Sequence, residues 1–173
     1  VVLIEKGPDL QERINLSEKH KSRPFGWGGA GTFSDGKIIF SSITGGRLSE
    51  LMDLKKLNSY IYETKDLWIK FIGDLEIDNF TESSNNNLVN KAKKFGLELI
   101  ISDIIHVGSD ILPQVLNNIR DYLVNNNINL KMNCEVNNIR IEDNDICLYT
   151  SKGKIISKKV IIAPGRGGSK WVL

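Results

Sequence analysis

A chain of 173 residues, 40% hydrophobic and 25% charged, is long enough for one domain with a core, or for one domain plus a small insert. Its 23 basic and 21 acidic residues leave a net charge of +2, which gives no electrostatic footprint for nucleic acid or an anionic membrane. No apolar run is long enough to span a bilayer, and VVLIEKG has neither the basic start nor the cleavage site of a signal peptide. Cys134 and Cys147 suggest no disulfide framework, and no zinc spacing exists, so a reducing cytoplasm and no metal site are expected.

In chain order, Val1 to Ile4 is an apolar, β-branched run ending in Glu5, Lys6 and Gly7, which predicts a buried parallel strand with an acid at its C-terminal end. Pro8 and Asp9 open a polar stretch expected to be helical to about Ser17. Residues 20–37 are turn chemistry, dense in glycine between Gly26 and Gly36. Lys37 to Ile43 returns to strand character. Leu48 to Gly73 carries apolar residues at spacings of three and four, which predicts one helix or a broken pair. The polar stretch Asp74 to Asn87 follows, then a short helix over about 85–95 stopped by Phe95–Gly96. Leu97 to Ile105 reads as a strand.

Asp110 makes a good N-cap and places Pro113 in the first turn of a helix ending near Asn126. Leu130, Met132, Cys134 and Val136 then alternate with polar residues, and Ile139 and Ile141 continue after a phase break at Asn137–Asn138. Turns at Glu142 to Asp145 and Ser151 to Gly153 separate strands over 146–150 and 154–157. Val160 to Ala163 reads as a short buried strand before Pro164–Gly165. A long helix feeding a strand is a parallel crossover, and a meander before a last parallel strand is a specific topology. The asparagine runs are read as turn and helix-end composition.

Three features carry chemistry. An acid ending the second strand of a dinucleotide-binding unit binds ribose hydroxyls, so Glu5 is either that acid or a solvated strand end. The glycines after it permit positive φ and close backbone approach to a ligand, with Thr32, Ser34, Asp35 and Lys37 adding hydroxyls and charges. VIIAPGRGG would let the chain pass close beneath a ligand at the sheet edge. His106 is either an acid–base group or a satisfied structural histidine, with the structural role favoured. Packing is the default for Cys134, Trp27 and Trp68.

The segments FGWGGAGTFSDGK (Phe25 to Lys37), HVGSDILPQVLNNIR (His106 to Arg120) and IIAPGRGGSKW (Ile161 to Trp171) together resemble the bacterial NAD(FAD)-utilizing dehydrogenases. These belong to the glutathione-reductase-like class of two-dinucleotide-binding flavoproteins. The resemblance implies an α/β fold: a partial Rossmann-like FAD-binding domain with an antiparallel β-meander and a mostly helical insert. It implies FAD-binding portions over 1–45 and 106–173, with a substrate-side insert over 46–105. It implies hydride or electron transfer through FAD, with NAD(P)H as a candidate electron donor and an unnamed small-molecule substrate.

By the same resemblance, Glu5, with Lys6 beside it, binds the ribose. Gly28, Gly29, Ala30, Gly31, Thr32 and Ser34 lie along the flavin side, with Lys37 near the ring. Val136 touches the adenine through its backbone, and Gly165 closes over the cofactor. No catalytic acid or base is assigned. The chain departs from the pattern in lacking the phosphate-binding glycine turn, which would precede Val1, and a C-terminal FAD-contacting segment. Both ends are therefore expected to be cut, FAD is expected to be absent from this chain alone, and an exposed sheet edge is expected to pair with another chain in a homo-oligomer. The alternatives are a folded fragment that binds no cofactor and an NAD-only dinucleotide-binding domain.

Overall fold

The computed structural model describes residues 1–16, 25–75, 78–80, 86–99 and 101–172. In chain order its elements are β1 (Val2–Ile4), α1 (Leu10–Asn15), β2 (Lys37–Phe40), α2 (Leu54–Ile72), β3 (Asp78–Phe80), α3 (Asn86–Lys94), β4 (Asp103–His106), α4 (Leu112–Asn125), β5 (Asn129–Lys131), β6 (Val136–Glu142), β7 (Asp145–Thr150), β8 (Gly153–Ser157) and α5 (Ser169–Val172). Short 3-10 turns occupy Gly29–Phe33, Leu48–Glu50 and Arg166–Gly168. This is a mixed α/β chain. It divides into two units: Val1–Phe33 with Leu116–Leu173, and Ser34–Val115.

In the first unit, β1 pairs in parallel with β5, with Leu3 opposite Leu130. The chain reaches β5 from α4 through a turn built on asparagine. Asn127 takes φ +59°, Asn127 N–H donates to Val124 O and Ile128 N–H to Leu123 O, so the last carbonyls of α4 are satisfied by a Schellman-type stop. The expected helix-to-parallel-strand crossover is thus present. The expected meander is present too: β6, β7 and β8 form an antiparallel sheet in that order. Asp143 (φ +49°) and Asn144 (φ +65°) make the tight β6–β7 turn, since a two-residue hairpin of matching twist needs left-handed backbone at both positions. The phase break at Asn137–Asn138 is a register shift between Val136 and Asn138.

Two expectations fail in this unit. Val160 to Ala163 forms no strand, and Ile161 is 94% exposed. An apolar run becomes a buried strand only where a partner strand lies alongside, and the described residues supply none for it. β1 is parallel, but not buried: Val1 is 93% exposed and Val2 is exposed as well, because β5 covers one edge of a two-stranded sheet.

In the second unit, β2, β4 and β3 form an antiparallel sheet in that order, with Lys37 and Asp78 both opposite His106. Asp53 caps α2, its side chain accepting from Lys56 N–H, and Gly73 at φ +59° ends the helix. Leu57 and Ile72 of α2 join Phe40, Ile105 and Val107 among the buried residues of this unit. Gly96 at φ +70° stops α3, with Leu97 N–H donating to Ala92 O, as the Phe95–Gly96 signal predicts.

Corrections here concern length. The strand expected over 97–105 is confined to Asp103–His106, and residues 97–99 and 101–102 have no ladder partner. The polar stretch after Gly73 contains β3, whose pairing with β4 supplies the order that its composition does not. Asp110 sits in the turn before α4 rather than at its cap: Leu112 N–H already donates to Gly108 O. Pro113 falls in the first turn as expected. Residues 17–24 lie outside the described residues, as do the ends of the polar segment at 76–77 and 81–85.

Candidate functional site

The site in the first unit starts where β1 ends. Glu5 N–H donates to Lys131 O, and Cys134 N–H donates to Glu5 O, so the backbone of Glu5 is fixed by β5 and the turn beyond it. Its side chain turns to the glycine loop. Oε1 accepts from Gly7 N–H at 2.7 Å and from Gly26 N–H at 2.9 Å. Among the described residues no hydrogen bond is made to Oε2. The acid is therefore no simple solvated strand end: one carboxylate oxygen shapes the loop.

Gly7 and Gly26 let two backbone segments meet. A Cβ on Gly7 would lie 2.4 Å from Gly26 N, and Gly26 itself has φ +112°. Trp27 N–H then donates to Pro8 O at 2.9 Å, which pins the loop to the β1–α1 connection. Asp9 caps α1 through Leu10 N–H and forms an ion pair with Arg120 of α4, Arg120 Nη2 lying 2.7 Å from Asp9 Oδ2.

Behind the loop lies Arg13, 1% exposed. Its Nη1 donates to Trp27 O (2.5 Å), Gly29 O (3.0 Å) and Thr32 Oγ1 (2.8 Å), and its guanidinium sits 5.0 Å from the Phe33 ring centre. Burial lowers the Arg13 pKa, and the Glu5 carboxylate opposes that shift. Sequence reasoning passed over Arg13. The available signal was its spacing, three residues after Leu10, which puts both on the buried face of α1.

The glycines of the loop differ. Gly28 (φ +80°) faces inward: a Cβ there would meet Thr32 Oγ1 at 2.4 Å and Leu116 Cδ1 at 2.5 Å. Gly29 and Gly31 have nothing within 4 Å of a Cβ position, so their backbone borders open space. Ala30 lies between them. Thr32 is fully buried, and its hydroxyl is engaged with Arg13, Trp27 O and Gly29 O, so it shapes the loop from inside.

Of the other implied residues in this unit, Lys6 forms an exposed ion pair with Glu135 (2.6 Å) and lies over the Phe25 ring. Val136 opens β6 opposite Thr150 and is half-buried. Gly165 (φ +66°) turns the chain, with Gly168 N–H donating back to Gly165 O, but it follows an exposed segment rather than a strand. The structure thus brings Glu5 together with the loop at Gly26; among the described residues, Val136 and Gly165 make no hydrogen bond to either.

Ser34 and Lys37 fall in the second unit. Lys37 Nζ lies 2.9 Å from Asp35 Oδ2, and this lysine holds the Asp35 carboxyl below the usual carboxylate range. Ser34 is exposed, with Oγ 3.5 Å from Gly36 N. His106 Nε2 is 2.9 Å from Asp35 O, the structural bond favoured for it. Trp27 is buried with Nε1 donating to Leu116 O, and Trp68 lines a cleft. Cys134 and Cys147 are buried free thiols. The cleft, of about 350 Å³, runs between β2 and α2 and is lined by Ile38, Phe40, Met52, Tyr60, Ile61, Trp68 and others, with no charged side chain among them. Among the described residues there is no metal-ligating cluster, and no helix is long and apolar enough to cross a membrane.

Comparison with known proteins leaves the chain unassigned: no family model matches it, and no curated protein matches it.

Proposed function

We propose that this chain is part of an FAD-dependent oxidoreductase, in which Glu5 and the Gly26–Phe33 loop form one side of the cofactor site. One observation carries the reading. The acid that ends a parallel strand bonds through one carboxylate oxygen to the glycine loop, with no hydrogen bond to the other among the described residues, beside a loop whose Gly29 and Gly31 border open space. That donor set suits a ribose hydroxyl at Glu5 and close approach of a flat ring along Gly29 to Gly31. A bound flavin would supply the hydride or electron transfer, and the protein would supply orientation and exclusion of water. The partial Rossmann-like FAD domain remains a proposal of the same kind. It rests on the β1–β5 parallel pair and the α4 crossover, and 160–163 does not support it.

Under this reading NAD(P)H is the electron donor and the substrate is a small molecule. The compartment would be the cytoplasm, which suits two buried free thiols. A second copy could pair along the exposed edge of β1.

The test is thermal unfolding with FAD, NAD or neither. The account predicts little or no flavin absorbance in the purified chain, because Glu5 and the loop offer few charged contacts to a pyrophosphate. It predicts a rise in Tm with excess FAD that excess NAD does not reproduce. At about twenty times Kd, ligand linkage stabilises by about 1.8 kcal/mol, or about 4–7 °C for a chain of this size. A rise with NAD alone would assign the loop to a nicotinamide dinucleotide, and no rise with either would make this a folded segment without a cofactor.

A further inference from the structure

Buried arginines cost desolvation, so one that is 1% exposed calls for a reason. The loop shows it. On one side Glu5 accepts the N–H of Gly26. On the other, Arg13 donates to the carbonyls of Trp27 and Gly29 and to the Thr32 hydroxyl. Donors of the loop face the carboxylate, and acceptors face the guanidinium. Carbonyls of a loop otherwise compete for the space in front of it. Here two of them are drawn back and held inside.

The side chain also fills the loop mechanically. A Cβ on Gly26 would lie 2.6 Å from Arg13 Cδ, and the Phe33 ring covers the guanidinium. The glycines permit many shapes, since each loses the most backbone freedom on ordering. They do not select one. A charged guanidinium does select: its Nη1 draws Trp27 O, Gly29 O and Thr32 Oγ1 to one point while its plane packs against the Phe33 ring, a stacking that a lysine ammonium does not reproduce.

We propose that Arg13 is the positioning residue of the glycine loop: its guanidinium sets the conformation in which Gly29 and Gly31 border open space. Its consequence for FAD rests on the reading above, whereas its effect on the loop does not.

The experiment is hydrogen exchange by mass spectrometry on the wild-type chain, Arg13→Lys and Thr32→Val, paired with the FAD-dependent Tm shift. Loss of charged hydrogen bonds behind the loop should speed exchange in peptides covering 25–33 by about tenfold or more in Arg13→Lys. Exchange in the β6–β8 meander should stay within about twofold, and a merely structural arginine would instead raise exchange throughout the first unit. Thr32→Val removes one acceptor at nearly constant shape and should give a smaller, equally local increase. It also carries the test if Arg13→Lys does not fold. The FAD shift should be lost in Arg13→Lys.

Loop exchange unchanged in the variants, with the wild-type FAD shift intact, overturns the positioning role and leaves the flavin reading standing. Local loosening in the variants, with no FAD shift in the wild type, overturns the flavin reading and leaves Arg13 as the loop's organiser.

Discussion

Gly28→Ala tests the loop most sharply, because its neighbour Gly29 is a built-in control. Both have positive φ, +80° at Gly28 and +67° at Gly29. A Cβ in left-handed backbone costs roughly 1–2 kcal/mol, and the reduced freedom of the unfolded chain returns about 0.4–1 kcal/mol. Gly29→Ala meets nothing within 4 Å, so it should cost about 0.5–1 kcal/mol. At Gly28 the new methyl would lie 2.4 Å from Thr32 Oγ1 and 2.5 Å from Leu116 Cδ1. Neither can retreat easily, since Thr32 is bonded to Arg13 and Leu116 is buried. Overpacking adds about 1–3 kcal/mol, giving about 1.5–4 kcal/mol in total. At about 2–4 °C per kcal/mol, thermal unfolding should fall by about 3–16 °C for Gly28→Ala and by about 1–4 °C for Gly29→Ala. Equal shifts for the two variants would refute the inward packing of Gly28 against Thr32 and Leu116.

Further outcomes follow from the rest of the chain. Glu142 is bonded by Lys154 and by the Tyr149 hydroxyl, and these hold its carboxyl at about 2, below its ordinary value of 4.5. A depressed folded-state pKa contributes stability above the unfolded-state value that disappears as pH falls through the folded-state one. The stability gap between wild type and Glu142→Gln should therefore be present at neutral pH and close between about 4.5 and about 2; acid unfolding curves that run parallel would contradict this. Cys134 and Cys147 are buried, and burial together with Glu142 raises the Cys147 thiol. Both thiols should resist a disulfide reagent in the native chain and titrate fully in denaturant, and rapid native labelling would show an open core. Asn127→Val places a β-branched residue at φ +59° and should cost about 1–2 kcal/mol in denaturant unfolding, while Asn127→Gly should be neutral or stabilising.

Local devices were legible in the sequence. The Asp143–Asn144 hairpin, the Gly96 stop and the position of Pro113 each follow from one or two residues whose backbone preference decides the outcome. Asparagine serves turns only in part: Asn127, Asn133 and Asn144 take positive φ, whereas Asn117–Asn118 lie inside α4 and Asn137–Asn138 inside β6. Pairing was less legible. Val160 to Ala163 has every local mark of a strand, but a strand exists only with a partner, and none is present among the described residues. Conversely, β3 has no strand pattern and is ordered by β4. For the candidate site, the glycine density marked the loop whose Gly26 N–H donates to Glu5. Arg13 was missed because an arginine in a six-residue helix defaults to solvent. Its burial depends on carbonyls 14 and 16 residues away.

The central claim is that Glu5 and the glycine loop hold a dinucleotide carrying a flavin. Its most direct measurement is an equilibrium titration of the flavin fluorescence of FAD with the wild-type chain and with Glu5→Gln. The account predicts a saturable one-to-one response for the wild type, weakened about tenfold or more in Glu5→Gln, because a charge-assisted hydrogen bond to ribose is lost. A linear, unsaturable response from the wild type, or equal affinity in the two proteins, would contradict it.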